Sequence, residues 1–274
     1  MKINLLKKSL SIMLMIALIS GCNQAPTSNQ SEEKTVETFD EHAFKDDINT
    51  IIQNSPKGID VVDFLNDVGA SYIFDLTLPL TEVDKYETST RISLSIGAYA
   101  MDMIYANTYN RGDVAIQLSD LLKLQAGKLG LESSPENKVY FERIKQNENN
   151  SDSLSFYMDK IWNNFHQQGA KSDMPDTYAL IFVGGNVEAL YLLSQLTVYA
   201  KDNQKMLDYF AQQGELAHGM LQLLEILSED EAVKPYYDQM QPIAGYFAAH
   251  QSFTVKELNE LAPMIESIRN DMFN

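Results

Sequence analysis

Two stretches of this chain, ISLSIGAYAMDMIYA at residues 92–106 and YALIFVGGNVEALYLL at 178–193, are apolar nearly all round and rich in small residues. A helix without a polar face is stable only when other helices surround it. The two stretches therefore demand a shell of further helices, and the rest of the chain has the pattern to supply one. Outside them, apolar residues recur at three- and four-residue spacing with almost no strand-like alternation. The expected fold is all-α: a single domain of about eight to ten helices, with antiparallel hairpins packed as a bundle.

Start and stop signals place eight helices near 43–53, 59–74, 82–108, 113–130, 135–147, 151–168, 175–200 and 203–228, with two more at 230–250 and 254–272. Ser228–Glu231 and Thr254–Glu257 both fit a capping box, in which a hydroxyl and a carboxylate satisfy free amide donors. Ser134-Pro135 puts proline where a first helical turn tolerates it. Gly97, Ala98, Gly184 and Gly185 would let neighbouring backbones approach closely. In the 203–228 helix, Met206, Phe210, Ala217, Met220, Leu221, Leu224 and Leu227 fall on one stripe.

Each inner stretch is interrupted by one carboxylate, Asp102 in the first and Glu188 in the second. Burying an unpaired charge is costly, so each must reach solvent, find a partner or hold a raised pKa. Tyr99, Tyr105, Asn107, Tyr109, Asn186 and Tyr191 lie within one or two helical turns. Two readings follow. One is a polar pocket between hairpins that binds a small molecule or cation through Asp102, Tyr105, Asn186, Glu188 and Tyr191. The other, which we favour, is an internal network that fixes helix register, since buried polar groups normally find partners. An offset of 86 positions superposes Asp102 on Glu188, Tyr105 on Tyr191 and Ala98 on Gly184, which suggests a pseudo-repeat of two related hairpins.

Other motifs are weaker. Glu215-Leu216-Ala217-His218 has the Glu-x-x-His spacing of ferritin-like di-iron bundles, but a second copy and two more helical glutamates are needed, and His42, His166 and His250 do not provide them. Arg111-Gly112-Asp113 spells an adhesion tripeptide at an interhelical turn, where the simpler expectation is that Gly ends one helix and Asp caps the next. Trp162 is expected in the core with Phe156, Ile161 and Phe165. A phosphate-binding glycine loop, a Gly-x-Ser-x-Gly elbow and a His-Glu-x-x-His motif are all missing from the sequence.

The N-terminus carries an address. Met1–Lys8 is short and basic, and an apolar run follows from about Leu10 to Ile19. That run is shorter than the roughly 20 residues a bilayer span needs, but it suits a signal peptide. It ends in Leu18-Ile19-Ser20-Gly21-Cys22, which resembles the lipobox of bacterial lipoproteins. The resemblance implies cleavage after Gly21, alkylation of the Cys22 thiol by diacylglycerol, and acylation of its new amine by a fatty acid such as palmitate. Each buried methylene contributes about 0.8 kcal/mol, and two chains anchor where one binds only marginally. Asn23 stands where an aspartate would favour inner-membrane retention, so the outer membrane is the default destination. The single cysteine is thereby used up, leaving the expected mature chain without a thiol for a disulfide, a zinc site or a nucleophile.

The expected organisation is a signal peptide over 1–21, a tether over 22–40 and a helical domain over 41–274. The tether sequence NQAPTSNQSEEKTVETFD is too poor in large apolar residues to order itself. Losing Lys2, Lys7 and Lys8 from 21 basic residues while keeping all 38 acids takes the net charge from −17 to −20. Such a surface is repelled by phosphate backbones, so nucleic acid is not an expected partner.

The stretch from Val83-Asp84-Lys85-Tyr86-Glu87-Thr88 through Gly97-Ala98-Tyr99 to Tyr105-Ala106-Asn107-Thr108-Tyr109-Asn110, with Asp75-Leu76 and Pro79 ahead of it, resembles a family of all-helical lipoproteins from Bacteroidota. The resemblance covers roughly residues 69–111. It implies a helical fold and an envelope location, and it supplies no activity. The expectation is a membrane-anchored envelope lipoprotein, non-enzymatic and without a cofactor. Its expected partners are membrane lipid through Cys22 and a small ligand or an envelope protein. The alternative is a carboxylate-based metal-binding protein or enzyme built on Asp102 and Glu188, with Glu215 and His218 as further candidates.

Overall fold

The computed structural model describes residues 41–131, 135–169, 173–200 and 203–274, which form an all-α bundle; Cys22, the signal segment and the tether lie outside them. Among the described residues are eleven α-helices and no strand. They are α1 (Glu41–Asn54), α2 (Gly58–Asp67), α3 (Ser89–Thr108), α4 (Gly112–Lys128), α5 (Pro135–Gln146), α6 (Ser151–Gly169), α7 (Pro175–Tyr199), α8 (Gln204–Ala211), α9 (Gly214–Ile226), α10 (Lys234–Ala249) and α11 (Val255–Phe273). Between α2 and α3 the chain forms an irregular strap containing two short 3-10 turns, Phe74–Leu76 and Leu80–Lys85.

The bundle is organised around α7, which packs against α1, α2, α3, α8, α9 and α11. It is long and apolar enough to cross a membrane, yet 94% of that span is buried among its neighbours, as befits a central core helix. Its partner in the deepest contact is α3, and glycines sit where the two cross. A Cβ on Gly97 would collide with the Ile181 carbonyl and the Gly185 nitrogen, and one on Gly184 would collide with the Leu94 carbonyl. Backbone therefore lies directly on backbone. The four small residues picked out in the sequence fall at or beside this crossing.

Three helices end in the same way. Gly69 (φ 72°), Asn110 (φ 59°) and Gly130 (φ 68°) take left-handed conformations just past α2, α3 and α4. In each case the next residue donates back to the helix: Ala70 to Leu65, Arg111 to Ala106 and Leu131 to Ala126, all at 2.8–3.0 Å. This is the Schellman closure, which satisfies carbonyls that a helix end leaves free. It ends α2 at Asp67, earlier than the 59–74 helix read from apolar spacing. It also reassigns the Arg111-Gly112-Asp113 turn. Asn110, not Gly112, makes the left-handed stop, and Arg111, not Asp113, is the N-cap of α4, while Arg111 and Asp113 form a bidentate ion pair at 3.0–3.1 Å. Gly112 is required for a different reason, since a Cβ there would strike the Glu148 carbonyl.

Other boundaries shift for local reasons. The expected 82–108 helix starts at Ser89, because Thr88 caps it by accepting from the Arg91 amide. The 203–228 helix is two helices: Gln212 and Gln213 bond back three residues, and the Gln213 side chain occupies the Tyr209 carbonyl. The capping box expected at Ser228 does not form. The Ser228 hydroxyl donates to the Glu225 carbonyl and α10 begins only at Lys234. The box at Thr254 and Glu257 is complete. On α6, Phe156 is 54% exposed rather than in the core, whereas Ile161 and Phe165 pack on it; the Trp162 side chain lies outside the described set.

Candidate functional site

The strap between α2 and α3 dips inward at Leu76, Thr77 and Leu78 and again at Val83 and Tyr86, and its irregular backbone groups need partners that regular structure would otherwise supply. Buried side chains provide them. The Tyr105 hydroxyl accepts from the Ile73 amide at 2.9 Å, and Asp102 Oδ2 accepts from the Leu78 amide at 2.8 Å. The Leu76 carbonyl accepts from Arg269 Nη2 at 3.1 Å, the Pro79 carbonyl from Tyr99 at 3.1 Å and the Val83 carbonyl from Gln125 at 2.9 Å. Three helices, α3, α4 and α11, thus reach inward to hold one irregular segment.

At the centre of this network Asp102 and Glu188 face each other across the α3–α7 crossing, each 0% exposed and within mutual hydrogen-bonding reach. Arg269, from α11, clamps Glu188 with Nε to Oε2 and Nη2 to Oε1, both at 2.9 Å. Its guanidinium also stacks 4.3 Å from the Tyr191 ring centre, a favourable cation–π geometry. Burial opposes the charged guanidinium, but the Glu188 charge and hydrogen bonds outweigh it and hold Arg269 firmly protonated. Asp102 lacks such a clamp. Burial first, and the Glu188 charge second, push its carboxyl well above the ordinary range, against the smaller pull of the Leu78 amide and Arg269. Its Oδ1 has no donor.

The five residues expected to form a pocket engage different partners. Asp102 and Glu188 meet, and Tyr191 lies alongside through Arg269. Tyr105 turns to the strap, where it packs with Tyr72 and Tyr109 at ring separations of 4.8 and 5.1 Å. Asn186 donates to the Phe182 carbonyl at 2.8 Å, and its Oδ1 faces Gly58 at the start of α2. Asn107 belongs to a separate joint with α6, donating to Ser155 Oγ at 2.8 Å. Burial raises the phenols of Tyr99 and Tyr105, and raises Tyr86 and Tyr109 to about 12, so none of these hydroxyls ionises near neutrality.

Glu215 and His218 are both exposed on α9, and among the described residues no group of three or more His, Cys, Asp or Glu side chains is placed to hold a metal ion. The residue that sequence reasoning missed is Arg269. It continues the buried stripe of Leu258, Leu261, Ala262, Ile265 and Met272 on α11, and a basic residue within such a stripe implies a buried acid elsewhere. Comparison of the chain with protein-family models, with curated proteins and with solved structures finds no match.

Proposed function

We propose that this chain is a lipid-anchored protein of the bacterial envelope, of the kind its lipobox and its resemblance to Bacteroidota lipoproteins suggest, and that its helical domain acts by binding a ligand or protein partner rather than by carboxylate chemistry. The observation that carries the second half is the sealing of Asp102 and Glu188: both are 0% exposed, one clamped by Arg269 and the other tied to the strap. A substrate or metal would have to displace those bonds and open the α3–α7 crossing to reach them. A carboxylate enzyme needs its acid and base within hydrogen-bond reach of the reacting group. Binding is left to the outer faces, where Leu124 of α4, Val139 of α5 and Phe156 of α6 stand half exposed on successively packed helices. The outer membrane is the location that Asn23 after Cys22 supports.

The anchor is tested by expressing the full chain in a bacterium fed an alkyne-tagged fatty acid. The wild-type protein is expected in the detergent-extracted membrane fraction with label attached, and Cys22→Ser in the aqueous fraction without it. Labelling of the serine variant, or its persistence in membranes, would sink the reading.

A further inference from the structure

The interior cluster is one positive charge short. Two carboxylates, Asp102 and Glu188, share a site with one guanidinium, and both nitrogens that Arg269 turns toward the cluster are already engaged with Glu188. Asp102 has one oxygen on the Leu78 amide and one with no donor, although the Glu188 carboxylate lies within hydrogen-bonding reach. Two ionised carboxylates are both acceptors and cannot bond to each other, and an unmet polar atom in the interior is costly. A single proton cures both faults. It balances the charge and turns the Asp102 carboxyl into a donor toward Glu188.

We propose that Asp102 and Glu188 hold one proton between them at the α3–α7 crossing, and that this proton is a pH-sensitive latch on the strap: when it leaves for solvent, two negative charges face one guanidinium, and the contacts that α3 and α11 make with residues 76–79 loosen.

The groups around the pair suit this role. From α3 come Tyr99 and Tyr105, from the strap Tyr86 and from α7 Tyr191, all kept neutral by burial. Arg269 is the cation in direct contact; Glu266 on α11 and Glu82 in the strap act only at one remove, through Tyr191 and Tyr99. The Arg111–Asp113 pair of α4 reaches no nearer than Tyr72. On α2 and α6, packed behind α7 and α3, Asp60, Asp63, Asp67, Asp152, Asp159 and Lys160 are exposed. Arg91 of α3 likewise acts at one remove, over the Tyr86 ring at 5.8 Å, so among these groups Arg269 is the one cation in contact with the pair.

The sign of the pH effect follows from linkage. The carboxyl of Asp102 is raised in the folded state, so between the ordinary carboxyl range and the folded value the native protein binds a proton that the unfolded chain has released. Its contribution is complete below the ordinary value of 3.8, falls as pH rises and is lost above the folded value. Asp102→Asn replaces the protonated acid by a neutral group that still accepts from Leu78 and still donates to Glu188.

Unfolding constants of the wild type and of Asp102→Asn, measured by denaturant titration at a series of pH values, provide the test. The ratio of wild-type to variant constants is expected to climb about tenfold per pH unit through the window and then level off; a ratio independent of pH would overturn the proposal. Infrared difference spectra of the wild type supply a second reading that does not depend on the variant folding. A protonated carboxyl band that persists above the ordinary carboxyl range and is lost on further alkalinisation is expected, and its loss together with the surface carboxyls would overturn the proposal equally.

Discussion

Arg269 is the cation that neutralises Glu188 in the interior. It bonds both oxygens of Glu188 and one strap carbonyl while lying against Tyr191. Removing one member of a buried ion pair leaves the other charge uncompensated, at a typical cost of about 3–5 kcal/mol. Arg269→Met is therefore expected to lower stability by about that amount in a denaturant titration. Adding Glu188→Leu to it should recover part of the loss, since the stranded carboxylate is gone; a double variant no better than the single one would mean that the pair is not coupled. The two acids were legible in sequence because a charge stands out in an apolar run. Arg269 was not, because long cationic side chains are common on amphipathic helices, where they often run along apolar surface toward water. Only the fold tells the two cases apart.

Helix positions follow closely from apolar spacing, and the errors have identifiable causes. Val68, Tyr72, Ile73, Val83 and Tyr86 still turn at least partly inward while Phe74 is half exposed, but backbone events stop the helices: the Schellman closure at Gly69 and the Thr88 cap of α3. Between 68–74 and 82–88, residues 75–81 carry no helical period. The bonds of the strap depend on Tyr99, Asp102, Tyr105, Gln125 and Arg269, which are up to 193 residues away in sequence. At the α3–α7 crossing the sequence was more informative, since glycine within an all-apolar helix has few purposes besides close approach. Gly184→Leu is expected to destabilise the bundle by more than the roughly 1–3 kcal/mol of ordinary overpacking, because the added atoms meet the Leu94 backbone rather than a movable side chain. Calorimetry checks this, and an unchanged melting temperature would contradict the close crossing.

At the scale of the whole molecule, six of the other ten described helices pack directly on α7, and the charged side chains of the described helices lie mostly outward, consistent with a net charge of −17. The 86-residue offset noticed between Asp102 and Glu188 corresponds to a physical meeting, since the helices that carry them pack against each other more extensively than any other pair described. All-round apolarity announces that kind of centre early. The sequence did not announce that Tyr99, Asp102 and Tyr105 bond the strap, because pocket and strut need the same residue types. The central claim is that Asp102 and Glu188 are a sealed internal pair and that binding belongs to the surface. Native mass spectrometry of the full chain, gently extracted from its membrane, tests this most directly when run beside Asp102→Asn and Glu188→Gln variants that retain wild-type helicity. Any bound mass is expected to be the same in all three proteins. A metal or metabolite carried by the wild type and lost from both variants would make the pair a binding site and contradict the account.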